Sequence, residues 1–546
     1  MAKYNKRKVA AAEAVAATTH QGGDGYQLKP ELELMSLLAN GIGNTFYEKE
    51  SEQEKRLFDL INKVCKADKL LVAKMLVYTR AVLGQRSVTH AAAVALLPNI
   101  SGIEWAKDLF TKRDRKENFG GLIYRIDDML EIAAYYMEKN PGKRLPNSVT
   151  KGFKSVLESA DAYELAKYQG KTRGVSLVDI VNLVHPRPAK AMVKVFKDLI
   201  NGDLKQFNTV EDKNTKSGQI VAQKVAEGIL TVDEAATELA KAKEKNYKEL
   251  VEEKTIGYLA LLRNLRNILT NSKDKELLNA TVKQLTDANA IKKSLVFPHQ
   301  IDLALEVLMN EFKNSEAFVM FKALNDAYEL AIPNLSELGM TGRTAIVYDG
   351  SGSMTTAIQL ATGRGQTRAI DKAALIAATL AKGIGADVYS FSDYCKEVAY
   401  NPNDSVNTIK QTLLKNAASG GTQFRTIFPA LKSRYDRIFI ISDEQGADQI
   451  GSTLSDYKKN FKVDPNIYCI NLCSYGTTMF KENKKVAQLF GYSAEIYELV
   501  KKVEVDINAL LNEVKKINFL PKTFETVMAQ KAKKVSKKKV GSVKRK

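Results

Sequence analysis

The chain has 546 residues, 45% of them hydrophobic, and a formal net charge of +19. That length accommodates two to four domains with ample core, and no apolar stretch approaches the ~20 residues that span a bilayer, so a membrane-spanning role is excluded. Four scattered cysteines, Cys65, Cys395, Cys469 and Cys473, exclude a disulfide framework and read as a reduced, intracellular, cytoplasmic protein.

Residues 1–25 are expected to form a flexible basic arm, with Lys3, Lys6, Arg7 and Lys8 near its start and the turn-prone Gln21-Gly22-Gly23-Asp24-Gly25 at its end. The Ala-rich run inside it carries Glu13 and lacks large apolar side chains, so it is a poor signal-peptide core. From 26 to 338 the apolar spacing is helical almost throughout: Leu57, Leu60, Ile61 and Val64, then Leu71, Met75 and Val82, then Leu122, Ile126, Met129, Leu130 and Ala133. Short connections marked by Pro98, Pro141-Gly142, Pro146, Pro186 and Pro188 separate them. Many short helices in series suggest stacked helix pairs, an α-solenoid of HEAT-like repeats. Residues 211–255, rich in Ala, Lys and Glu, read as a solvated helical hairpin.

The texture changes at 339. Strands are expected at 343–348, 387–391, 437–442 and 466–471, and helices at 367–382, 404–415, 424–433 and 485–500. Such alternation predicts an α/β domain over 339–503, a doubly wound parallel sheet covered on both faces. Residues 504–546 form a C-terminal extension. From Lys531 to Lys546 it carries nine Lys or Arg and no acid, a run that attracts polyanions without sequence preference or merely keeps the chain soluble. The tail does not account for the whole excess of charge, so the folded body is basic too, which favours nucleic acid as a partner.

Asp349-Gly350-Ser351-Gly352-Ser353 follows the apolar run Ala345–Tyr348. An acid and two hydroxyls at i, i+2 and i+4, with glycines between them, leave the backbone free to wrap a small hard cation. Gly420-Gly421-Thr422 offers a further hydroxyl, and Asp443 ends the apolar run Ile438–Ser442. Both acids thus sit at carboxyl ends of predicted strands, where open α/β sheets gather ligands. The set Asp349, Ser351, Ser353, Thr422 and Asp443 resembles the metal-ion-dependent adhesion site of von Willebrand factor A domains. That resemblance implies a divalent ion, Mg²⁺, with a position left for an outside acid. A hydrogen-bonded turn without an ion is the competing reading.

With an A-like domain after a helical array, the helical half resembles the TROVE domain of the Ro autoantigen family. The resemblance rests on Tyr78-Thr79-Arg80 with Gly84-Gln85-Arg86-Ser87, on Leu145-Pro146-Asn147, on Ala166-Lys167-Tyr168, on Leu177-Val178-Asp179 with Leu183-Val184-His185-Pro186, and on Leu261–Asn267. It implies a monomeric ring of helical repeats closed by the A domain. It further implies that small structured noncoding RNAs, the Y RNAs, bind on a basic outer surface and that single-stranded 3′ ends of misfolded RNAs enter a central hole. The family's RNA-contacting positions carry over onto Lys167 and His185. Lys171 and Arg173 stand for a further basic contact where the spacing departs by about one residue. With Arg187 they make a basic cluster that could meet phosphates and unpaired bases or be solvated charge, and His185 could instead cap a helix. Arg80, Arg86 and His90 form a second group that could face the hole or serve interhelical pairing. The family's serine-proline-phenylalanine stretch survives only as Ser294–Pro298.

No catalytic constellation stands out. The four histidines lie near no plausible nucleophile, and the proposed ion would have too few carboxylates for two-metal hydrolysis. The expectation is therefore a non-enzymatic RNA-binding protein. The alternative is an adaptor whose metal site grips an acidic residue of a partner, a nuclease among the candidates.

Overall fold

A strand with no polar alternation must be covered on both faces, and Thr344–Asp349 (TAIVYD) is buried along its whole length. It lies inside a six-stranded sheet ordered 486–490, 466–471, 437–442, 344–349, 387–391, 395–397. The first five strands run parallel and Cys395–Glu397 closes one edge antiparallel. Val347 lies level with Ile440 on one side and Tyr389 on the other. Ala345, Val347, Tyr389, Phe391, Ile438, Ile440, Ile467 and Cys469 point to one face, against Phe424, Phe428, Leu431 and Tyr457. The helix Ala369–Ile384, buried over most of its length, packs on the central strand. Each such side chain taken from water contributes roughly 1.5–3 kcal/mol.

This computed structural model describes residues 15–521, apart from 44, 115–116, 118, 169–170, 205–209, 295, 297, 314, 332–339, 356, 360–365 and 494. It separates into two compact units. The α/β unit gathers Met1–Lys55, Phe297–Leu303 and Tyr328–Leu510; the helical unit gathers Arg56–Val296, Ala304–Ala327 and Leu511–Lys546. The α/β unit is thus assembled from three chain segments rather than from one stretch after 339. Asp302 shows one reason: the buried Lys410 ammonium donates to both its carboxylate oxygens, at 3.0 and 2.8 Å.

Two expectations are corrected here. Residues 16–27 are not a free arm but an antiparallel hairpin, Ala16–Thr18 with Asp24–Gln27, whose second strand also pairs with Thr477–Thr478. Residues 1–14 lie outside the described residues. And 485–500 is not one helix: Val486–Phe490 is a fully buried parallel strand, and the helix begins at Glu495. Pairing with Asn466–Asn471 and packing of the helix Pro30–Asn40 override a helix-compatible composition.

In the helical unit successive helices pack as neighbours. Lys69–Ala81 lies on Ser87–Leu96, which lies on Ile126–Lys139; further on, Val232–Glu252 packs with Tyr258–Asn271 and Lys275–Leu285. Several starts are fixed locally. Asp68 accepts from Leu71 N at 2.9 Å, and Asp161, Ser176 and Thr231 each form a capping box with the acid three residues on. The pair Val210–Ala226 and Val232–Glu252 is the expected helical hairpin. The first part of the C-terminal extension is built in: Phe519 meets Trp105 edge-on with centroids 5.9 Å apart, and Arg113 Nη1 donates to Asn518 O. The basic tail lies outside the described residues. Among the described residues no helix is long and apolar enough to cross a membrane.

Candidate metal centre and nucleic-acid interface

The strand order of the α/β unit reverses at its first strand: 387–391 follows on one side of 344–349, and 437–442 on the other. A crevice opens at the carboxyl ends where the order reverses, and Asp349 and Asp443 stand on its two sides. All five residues singled out for an ion come together there, each nearly or fully buried. Ser351 N donates to Asp349 Oδ1 at 2.8 Å, and Ser442 Oγ donates to Asp349 Oδ2 at 2.6 Å. The Ser351 and Ser353 hydroxyls are 3.3 Å apart. The Thr422 loop is laid against them through Gly352 N, which donates to Gly420 O. Gly350 permits this approach, since a Cβ there would stand 2.2 Å from Ala418 O.

Asp443 Oδ1 accepts from Gln445 N at 3.1 Å, whereas Oδ2 is enclosed and makes no well-formed hydrogen bond. Burial pushes both carboxyls up; Asp349, beside the charge of Asp443, rises to about 7. Two enclosed carboxylates, hydroxyl neighbours and one oxygen lacking a donor fit a hard divalent cation, which would let both acids stay ionised. Among the described residues no group of three or more His, Cys, Asp or Glu is placed to hold a metal ion, and the donor set at this site is rich in hydroxyls.

Four residues of this site escaped the sequence reading. At the turn of the N-terminal hairpin, Gln21 Nε2 donates to Thr422 Oγ1 at 2.9 Å and to Tyr47 Oη at 2.6 Å. The His20 ring stacks on Tyr47 and meets Tyr475 edge-on. Tyr475 Oη accepts from the backbone of Phe46 and Tyr47. The turn-prone Gln21–Gly25 was the one visible signal, and it pointed only to a turn.

In the helical unit Lys167 is exposed at the end of the helix Ala162–Lys167. Its ammonium lies 5.6 Å from the centroid of Tyr163 and 5.7 Å from that of Tyr168, and the Arg125 guanidinium lies 6.0 Å from Tyr168. Tyr163, Tyr168 and Arg125 were not singled out from sequence, although basic residues interleaved with aromatics were the available signal. The hairpin Lys171–Thr172/Val175–Ser176 and the helix Leu177–Val184 both pack on Ile126–Lys139. Arg173, at φ 48°, faces Glu138 across 3.8 Å; the Lys171 side chain lies outside the described residues. His185 takes the left-handed position that caps the helix, its N–H donating to Val181 O, and leaves its ring exposed. Arg187 is exposed, and its backbone N–H donates to Glu158.

Arg80, Arg86 and His90 also converge, but around acids. Arg80 bonds Asp128 at 3.1 Å; Arg86 pairs with Asp127, Asp128 and Glu131; His90, only 1% exposed, has Nδ1 3.0 Å from Glu131. The structure thus spends this group on interhelical pairing.

Residues 231–354, running from the second helix of the solvated hairpin to the Asp349–Ser353 loop, match the TROVE domain family. Over those residues the chain is similar to the TROVE family, and the match spans less than half of its length. The upstream segments that carry the resemblance, Lys167 and His185 among them, lie outside the matched residues. A solved structure, the RO (RSR) protein of Deinococcus radiodurans, is 17% identical, with 88% of this chain and 99% of that chain covered at a TM-score of 0.47. No curated protein matches.

Proposed function

We propose that this chain is a TROVE-type, cytoplasmic, non-enzymatic RNA-binding protein. Its helical unit takes a small structured noncoding RNA of the Y-like kind, and single-stranded RNA ends as well. It serves as a ribonucleoprotein scaffold or in RNA quality control, as a monomer. The observation that carries this reading is the exposed Lys167 ammonium set between two tyrosine rings. Such a surface offers a phosphate its counter-charge and an unpaired base a stacking platform. His185 and Arg187 are exposed on the elements that follow, and a net charge of +19 supplies long-range attraction.

In the α/β unit the same reading assigns a von Willebrand factor A domain. Asp349, Ser351, Ser353, Thr422 and Asp443 would hold Mg²⁺, which when bound would supply a Lewis-acidic point of attachment. The residues themselves orient one another: Ser442 and the Ser351 amide fix the Asp349 carboxylate, and the Gln445 amide fixes that of Asp443. The adaptor reading has a partner's acid gripped at this site; the enclosed Asp443 oxygen supports only the ion which that reading needs.

Titration of a labelled Y-like stem–loop RNA into the full chain at several salt concentrations tests the RNA reading. Alanine at both Lys167 and Tyr163 is expected to weaken binding by roughly tenfold or more and to flatten the salt slope by ~0.7–0.9 for the lost phosphate contact. Unchanged affinity and slope would remove the helical face from the reading.

A further inference from the structure

An adhesion-type site would leave one face for an outside acid, and here the N-terminal hairpin reaches the proposed ligand Thr422. The Gln21 carboxamide nitrogen stands 2.9 Å from Thr422 Oγ1. Neighbouring ligands of an octahedral ion at about 2.1 Å stand about 3.0 Å apart. The Gln21 amide end thus stands at a hydrogen-bond separation from Thr422 Oγ1 that also matches the spacing of two neighbouring ligands of one ion. Its nitrogen and oxygen ends exchange by a half-turn of the terminal torsion, since the assignment of the two follows the hydrogen-bond partners at hand. Turned so, the carbonyl oxygen would face the ion and accept from the Tyr47 hydroxyl, now 2.6 Å from the nitrogen.

The hairpin holds this side chain in place from several directions. Thr19 Oγ1 donates to Gly446 O at 2.6 Å, Gly23 N donates to the same oxygen at 3.2 Å, and His20 N donates to Gln445 Oε1 at 2.9 Å. Gln445 and Gly446 stand two and three residues after Asp443, so the turn is anchored to the loop that carries a proposed ligand. A Cβ at Gly23 would stand 2.4 Å from Gly446 O, so the close seat depends on glycine. Tyr47, stacked on His20, closes the other side.

We propose that Gln21 is an in-chain ligand of the metal site. Its carbonyl oxygen fills the position otherwise left for an outside acid, and the ion fastens the N-terminal hairpin to the sheet edge. The inference rests on the metal reading above and narrows it: the site becomes a structural clasp, and an acidic partner must first displace Gln21.

Mn²⁺ binding to the full chain, followed by electron paramagnetic resonance and calorimetry, decides the matter. Gln21→Ala is expected to weaken binding about tenfold, and Gln21→Glu to tighten it, because a carboxylate replaces a neutral oxygen at the ion. A residue that merely donates to Thr422 and Tyr47 gives the opposite result with Glu, a loss of binding, and that outcome overturns the proposal. So does an affinity unchanged in both variants while Mn²⁺ still binds. Ser353→Ala and Asp349→Ala, checked for folding by circular dichroism, separate the two levels: folded variants that keep wild-type Mn²⁺ affinity overturn the metal reading itself. In limited proteolysis Mg²⁺ is expected to protect the 15–27 segment of the wild type and not of Gln21→Ala; equal cleavage with and without Mg²⁺ in the wild type contradicts the clasp.

Discussion

Asp349 and Asp443 show how local chemistry and distant contacts divide the work of a site. The pentapeptide Asp349–Ser353 was readable because its spacing alone sets an acid and two hydroxyls on one loop, and Asp443 because an apolar strand ends there. Gln21 was not, because its bond to Thr422 spans 401 positions and nothing near it in sequence carries that information. If the two acids hold an ion, Mg²⁺ at about 100 times its dissociation constant should stabilise the protein by about 2.7 kcal/mol. The thermal midpoint should rise accordingly and fall back with chelator, and Asp443→Asn should abolish most of the response; a midpoint indifferent to Mg²⁺ argues for the ion-free turn. Arg80, Arg86 and His90 teach the converse lesson. Basic residues at helical spacing look alike whether they face RNA or acids, and the partners Asp127, Asp128 and Glu131 lie some forty residues away. The Glu131 carboxyl, despite burial, is held down to about 2 by His90, Ser87 and Arg86, and Asp128 lower still by Arg80, His90 and Arg86. Depressed acids lend stability that is complete above their unfolded values, 3.8 for Asp128 and 4.5 for Glu131, and lost as pH falls through the lower folded ones. For Glu131 that loss is on the order of 3 kcal/mol. Denaturant melts between pH 6 and 3 should show the decline, and Glu131→Gln should flatten it.

At the scale of elements, the strands 344–349, 387–391, 437–442 and 466–471 were legible because a buried parallel strand is an unbroken apolar run. The strand 486–490 was not: Val-Ala-Gln-Leu-Phe suits a helix as well, and only pairing with 466–471 decides. Gly491, at φ 88° and against Ala39, was the warning that no helix runs from 485 to 500. The hairpin 16–27 was hidden for a similar reason, since its second strand is ordered by Thr477–Thr478 rather than by its own composition. Elements that depend on close backbone approach should fail sharply. Gly350→Ala puts a methyl 2.2 Å from Ala418 O, so the Thr422 loop must move. The expected cost is about 1–3 kcal/mol, with the Mg²⁺ response lost; a variant with wild-type midpoint and response contradicts the packing described. Lys410→Met should cost more, about 3–5 kcal/mol, because it leaves Asp302 buried without its counter-charge. Urea unfolding of the full chain measures both.

For the whole molecule, the net charge of +19 must be divided between the basic tail and the folded surface. Removing residues 531–546 deletes nine positive charges. It should lower non-specific affinity and reduce the salt slope while leaving the preference for one RNA intact, because sequence-independent attraction resides in charge and selectivity in the shaped surface. The most direct test of the central claim is recovery of RNA with the protein purified from its own cells in moderate salt, followed by sequencing of what is bound. A discrete small RNA is expected, strongly enriched with the wild type and lost when Lys167 and His185 are both alanine. A heterogeneous pool that washes off with salt and is the same for both proteins would contradict it.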